Sequence, residues 1–119
     1  SLVDRGERLD EAMALIRSAV ELKPTSGAVV DSLGWAFFRL GDYDQAIVYL
    51  ERAIELEPAS VVINDHLGDA YWRADRRIEA RFQWQRALAL DPMESERAAL
   101  TGKLEAGLPA LPPARSATR

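Results

Sequence analysis

Three similar phrases, each closed by a proline, recur at one spacing: AVELKP ends at Pro24, AIELEP at Pro58 and ALALDP at Pro92, 34 residues apart each time. A period of this length marks a stacked array. Each unit of two short helices cannot bury its own apolar side and needs a copy of itself as neighbour. Further pairs share the offset. Leu33-Gly34 matches Leu67-Gly68, Phe37 matches Tyr71, Ala46 matches Ala80, and Ala53 matches Ala87. Ala12 and Ala19 stand one period before Ala46 and Ala53. So many agreements at one offset argue against a generic antiparallel bundle with coincidental likeness.

Each unit reads as two helices. Val29, Val30, Leu33, Ala36, Phe37 and Leu40 fall at helical spacing over residues 27–40. Gly41-Asp42 breaks the pattern as a turn. Ala46, Ile47, Leu50, Ala53 and Ile54 resume it over 43–56, and Pro58 forbids its continuation. The next unit predicts helices near 61–74 and 77–90, with Ala74-Asp75 in place of Gly-Asp. Gly34 and Gly68 sit mid-helix, where glycine costs about 1 kcal/mol against alanine. That cost is reasonable where a neighbouring helix approaches the backbone closely.

The order Leu33, Gly34, Phe37, Ala46, Leu50, Ala53, Pro58, repeated as Leu67, Gly68, Tyr71, Ala80, Trp84, Ala87, Pro92, resembles the tetratricopeptide repeat. The early aromatic usual in that family is replaced by Val30 and Asn64. The likeness covers residues 6–92 and extends less firmly to about 106. It implies an all-α, right-handed α-solenoid of antiparallel helix pairs. It also implies protein–protein binding, most often of a peptide or helix in the concave groove.

The expected organisation is a helical array over 1–106 and a Pro-rich flexible tail over 107–119. The array divides into a partial repeat (1–24), two repeats (25–58 and 59–92) and a capping helix (93–106), about two and a half repeats plus the cap. In the partial repeat, residues 7–22 match a second helix, and Ser1–Arg5 would be the last turn of its missing partner. Ala12, Leu15, Ile16 and Ala19 then lose a neighbour. Either the chain is the C-terminal part of a longer array, or a second copy covers this face as a homodimer. The helix over 94–106 offers Ala98, Leu100 and Leu104 inward. The PxxP at Pro109–Pro112 could dock on an aromatic groove, though such motifs are common by chance.

Composition narrows the function classes. There is no Cys, which removes disulfides, thiolate nucleophiles and Cys-based zinc sites, and His66 is the only His. A triad or a His metal site would have to be built around that residue. Residues 1–70 hold 6 Lys/Arg against 13 Asp/Glu, a net of −7, and residues 71–119 hold 9 against 6, a net of +3. An acidic chain argues against nucleic acid as the main partner. No apolar run approaches the roughly 20 residues that span a bilayer, and a membrane contact is not expected. No signal peptide is visible at Ser1, which leaves cytoplasm and bacterial periplasm both open. Ala/Arg-rich, Lys-poor usage suggests a high-GC bacterial source, where such arrays often serve complex assembly.

In the resembled family the first helix of each pair lines the inner surface. The residues there not needed for packing would be Asp31, Trp35, Phe38 and Arg39, then Asp65, Asp69, Trp72 and Arg73. Asp31, Trp35 and Phe38 share one helical stripe, and Asp65, Asp69 and Trp72 repeat it. Aromatics beside carboxylates suit a segment with apolar anchors and neutral or basic groups. The plainer reading is that Trp35, Phe38 and Trp72 pack on adjacent helices. Some relatives hold a carboxylate on this surface with Lys and Asn, which the aspartates here disfavour. His66 beside Asp65 and Asp69 is a groove hydrogen-bonder before it is a base, because no nucleophile accompanies it. Arg73, Arg76, Arg77, Arg81 and Arg86 could meet a phosphate or an anionic lipid, although Asp75 and Glu79 make a solvated face the simpler account.

The chain is therefore read as a non-enzymatic interaction scaffold that uses no cofactor or metal. Its groove residues would be Asp31, Trp35, Phe38, Arg39, Asp65, His66, Asp69, Trp72 and Arg73. Two alternatives stand beside this: self-association through Ala12, Leu15, Ile16 and Ala19, and a non-catalytic regulatory part of a larger enzyme.

Overall fold

The computed structural model describes residues 2–22 and 26–113, with side chains from Arg8 onward except at Leu9 and Val20. Pro24 and the tail beyond Pro113 lie outside the described residues. Six helices and no strand occur among them: α1 (Leu2–Leu22), α2 (Gly27–Arg39), α3 (Tyr43–Leu56), α4 (Val61–Arg73), α5 (Arg77–Ala89) and α6 (Glu94–Ala106). Helices α2 to α6 fall within a residue or so of the periodicity. α1 differs, since the chain is continuously helical from Leu2 to Leu22, with no turn after Arg5.

The helix starts follow local chemistry. Ser26, Asp42 and Ser60 each accept a hydrogen bond from the backbone N–H three residues on, at 3.2–3.3 Å. Met93 cannot cap with a side-chain oxygen, so Glu96 reaches back to its N–H at 2.9 Å. Within each pair the turn uses a left-handed residue, Gly41 (φ 82°) in the first and Asp75 (φ 64°) at the same register in the second. Aspartate tolerates that conformation better than most residues with a side chain.

α2 packs on α3 and α4 on α5, and the pairs stack through α3 and α4. Ala46, Ala53, Ala80 and Ala87 are wholly buried at the crossings. A methyl group added at Gly34 would come within 2.7 Å of Leu50 Cγ, and one at Gly68 within 2.5 Å of Trp84 Cδ1. These glycines are therefore sites of close approach, as their position mid-helix implies.

The ends depart from the repeat. On α1, Met13 is buried, and Ile16 packs against the core with part of its surface left in solvent. Ala12 is exposed and Leu15 is 72% exposed. On α6 only Leu100 is fully buried, with Leu104 partly buried, while Ala98 faces solvent rather than inward. Thr101 and Glu105 replace the Leu and the aromatic of the two full repeats, and both are exposed. An end built this way stays wettable.

Candidate functional site

α2, α4 and α6 carry the residues of the inner wall, and two polar bridges tie them side by side. His66 Nδ1 on α4 lies 2.8 Å from Asp31 Oδ1 on α2. Lys103 Nζ on α6 donates to Asp65 Oδ1 at 2.8 Å and to Asp69 Oδ2 at 3.1 Å on α4. The expected aspartates are thus already engaged within the chain.

The wall differs between its two halves. Around α2 three flat rings are stacked: Trp35 on Phe38, with centroids 4.4 Å apart, and Trp35 on His66 at 3.9 Å. Tyr43 meets Phe38 edge-on at 5.5 Å. Trp35, Phe38 and His66 each keep part of their surface in solvent, and Arg39 is exposed.

The second half is closed. Trp72 is only 9% exposed and Asp69 only 6%. The expectation that they are spared from packing fails, for a reason one helix away. Trp84 fills the space beneath Gly68 and its indole N–H needs an acceptor, which Asp69 Oδ1 supplies at 3.1 Å. Burial pushes the Asp69 carboxyl above the usual carboxylate range, and the charge of Lys103 only partly offsets this. For Lys103 itself, burial pushes the ammonium down. The attraction of Asp69 and the hydrogen bond to Asp65 outweigh it, so its pKa ends above the ordinary value.

Trp72 is covered from several sides. Trp84 lies 5.6 Å away and the Arg77 guanidinium stands 4.5 Å above the ring. Gly107, in a left-handed conformation (φ 70°), comes so close that any Cβ there would overlap the indole. The segment after it does not start as a loose tail. Leu108 packs against the core and Arg73 Nη1 donates to the Pro109 carbonyl at 2.7 Å. Between this segment and the α4–α5 turn lies a cleft of about 380 Å³, lined by Trp72, Arg73, Arg77, Leu108 and Leu111 among others.

The basic cluster is largely committed inside the molecule. Arg76 pairs with Glu79 and stands 4.5 Å over Tyr71. Arg81 donates to the Leu104 carbonyl, tying α5 to α6. Three roles were not legible in the sequence: Lys103 as the partner of Asp65 and Asp69, Trp84 as the reason for Asp69, and the loop closure by Asn64. Asn64 is wholly buried and donates to the carbonyls of Pro58 (3.1 Å) and Ser60 (2.8 Å), closing the α3–α4 loop where the family places an aromatic.

Residues 32–60 match the family model of the tetratricopeptide repeat. This stretch is a tetratricopeptide repeat, and the fold around it is that of tetratricopeptide domains. Solved tetratricopeptide domains share its fold. The first such domain of Spaghetti (RPAP3), bound to the HSP90 peptide SRMEEVD, aligns with TM-score 0.75 and 22% identity over 85% of this chain and 78% of that one. PcrH in complex with the chaperone-binding region of PopD aligns with TM-score 0.78 and 19% identity over 87% and 80%. The OM64 domain of Arabidopsis aligns with TM-score 0.74 and 20% identity over 90% and 88%. No curated protein matches the sequence. At these identities the likeness is one of fold.

Proposed function

We propose that this tetratricopeptide array is a non-catalytic scaffold that holds a segment of a partner protein along its inner wall, centred on the Phe38–Trp35–His66 face. The stacked rings carry the reading. They are immobilised by one another and by the His66–Asp31 bridge, so little freedom is lost when a partner covers them, and part of their surface remains in water. Peptide-bound neighbours of the same fold support an interaction role. His66 is held between a carboxylate and an indole ring, an arrangement that fastens helices together and places no nucleophile beside it.

The chemistry of the partner follows from what surrounds the rings. The Asp31 and Asp65 side chains keep 13% and 25% of their surface exposed. An apolar anchor flanked by neutral or basic groups fits this wall. A peptide such as SRMEEVD, with three side-chain carboxylates, does not. The same site would serve if the array were the regulatory part of a larger enzyme.

Fluorescence anisotropy against a library of labelled peptides graded in charge and aromatic content tests this. Binders should be neutral or basic with an apolar anchor, SRMEEVD should not bind, and Trp35→Ala should weaken the best binder by at least about tenfold. Equal binding by Trp35→Ala and wild type, with both folded by circular dichroism, removes this face as the site.

A further inference from the structure

Trp72 and Arg73 on α4 stand one period after Phe38 and Arg39 on α2. In the first repeat these positions are open, with Phe38 half-buried and Arg39 exposed. In the second, Trp72 is only 9% exposed, and part of its cover is the non-helical segment that follows α6. Gly107 lies against the indole, Leu108 packs on the core, and the Pro109 carbonyl accepts from Arg73 Nη1 at 2.7 Å. A groove holds an extended peptide in the same manner, with an aliphatic side chain inserted and the main chain caught by hydrogen bonds.

The segment is not needed to hold the helix before it. α6 is secured by buried Leu100, by Lys103 on Asp65 and Asp69, and by Arg81 on the Leu104 carbonyl. The segment is also loosely seated. Every residue from Pro109 to Pro113 is exposed. The cleft of about 380 Å³ lies between Leu111 and the ring of Trp72, with Arg73 and Arg77 along its other side. Packing that served only to seal the array would leave no such space.

We propose that residues 107–111 are a tethered occupant of a second binding position on the wall, and that an extended partner segment with an aliphatic anchor displaces them to reach Trp72 and Arg73. The inference rests on the reading of the inner wall as a binding surface and extends it from α2 to α4. The occupant defines the chemistry of the position. Its sequence GLPAL brings no charge, an aliphatic side chain to the apolar floor, and a carbonyl to the guanidinium. A tethered occupant competes at an effective concentration that is roughly millimolar. A short segment with an aliphatic anchor alone therefore displaces it poorly. A partner that also holds the Phe38–Trp35–His66 face gains the additional contacts that open it. The tether thus restricts capture to segments long enough to engage α2 and α4 together.

Fluorescence anisotropy with a labelled, end-capped peptide AGLPALPP, the sequence of residues 106–113, tests this on the full chain. Gly107→Ala should lift the tether, since the left-handed conformation and the indole both exclude a side chain there. It should bind the peptide at least about tenfold more tightly than wild type, which corresponds to a tether closed about nine-tenths of the time. Leu108→Ser should do the same by withdrawing the anchor, and it serves if Gly107→Ala is not folded by circular dichroism. Arg73→Ala added to either variant should cancel the gain, and a peptide with serine at both leucines should not bind. The Trp72 and Trp35 indole N–H groups give separate NMR signals. Bound peptide should move the Trp72 signal, so failure at this position is told apart from failure of the α2 face. Equal binding by wild type and the folded variants overturns the proposal. So does a gain that survives Arg73→Ala, or a peptide that moves the Trp35 signal and leaves that of Trp72 in place.

Discussion

The two full repeats place different residues at the same positions, and one exchange entails the next. Beneath the mid-helix glycine, the first repeat puts Leu50 and the second puts Trp84, both wholly buried. Leucine asks nothing more of its surroundings, so the facing wall position is free to hold Trp35, partly exposed and stacked on its neighbours. Tryptophan brings an N–H that must be satisfied, so the equivalent position holds Asp69 as its acceptor. A buried carboxylate in turn needs a cation, and Lys103 stands at that register one period later. The first repeat thus keeps an aromatic surface partly in solvent, while the second consumes its wall in holding α6.

Removing the residue that starts this sequence should have the largest effect. Trp84→Ala empties a packed space and strands Asp69, and we expect a loss of about 4 kcal/mol in urea unfolding. Leu50→Ala, with no polar group left behind, should cost about 3 kcal/mol. If the two costs are equal, the indole–carboxylate bond contributes nothing and the comparison fails at its first step.

Asp69→Ala comes next. It orphans the indole N–H and leaves Lys103 with Asp65 alone, for an expected cost of about 2 kcal/mol. Asp69→Asn keeps an acceptor for Trp84 and should cost less than half of that. A larger loss in Asp69→Asn than in Asp69→Ala would mean that Asp69 serves Lys103 rather than the indole.

The order of these dependencies explains what the sequence could tell. The fold was legible because the 34-residue period rests on glycines, alanines and prolines whose backbone roles do not depend on context. That Asp31, Trp35 and Phe38 share one stripe of α2 was legible from spacing, whereas its place on the inner wall came from the family resemblance. That Trp72 and Asp69 are buried was not. Their covering comes from Lys103, Gly107 and Leu108, far along the chain and in a segment whose prolines read as a loose tail. Asn64 was visible only as a departure from the family pattern. Its use emerges when the α3–α4 loop brings two carbonyls to its amide.

Alkaline titration sharpens the contrast with a smaller effect. The pKa of Lys103 is raised in the folded chain, so its contribution to stability is complete below its ordinary value of 10.5 and is lost as pH rises through the higher folded value. Tyr71 has the same sign, because burial and Glu51 hold its phenol well above the ordinary 10.0. The difference between wild type and Lys103→Met therefore isolates the lysine. Above pH 10.5 wild type should lose more stability than Lys103→Met does. Parallel curves would mean that α6 is held by Leu100 and Arg81 without help from the ion pair.

The smallest expected effect has the opposite sign. Gly34→Ala should destabilise, because the new methyl meets Leu50 Cγ at 2.7 Å in a packed interior. Gly102→Ala meets no described atom within 4 Å and should stabilise by up to about 1 kcal/mol through helix propensity alone. Both are read by thermal unfolding. The two glycines share a register, so a difference in sign isolates what a second helix adds to that position. If Gly102→Ala destabilises a single chain, then something within the chain already presses on α6.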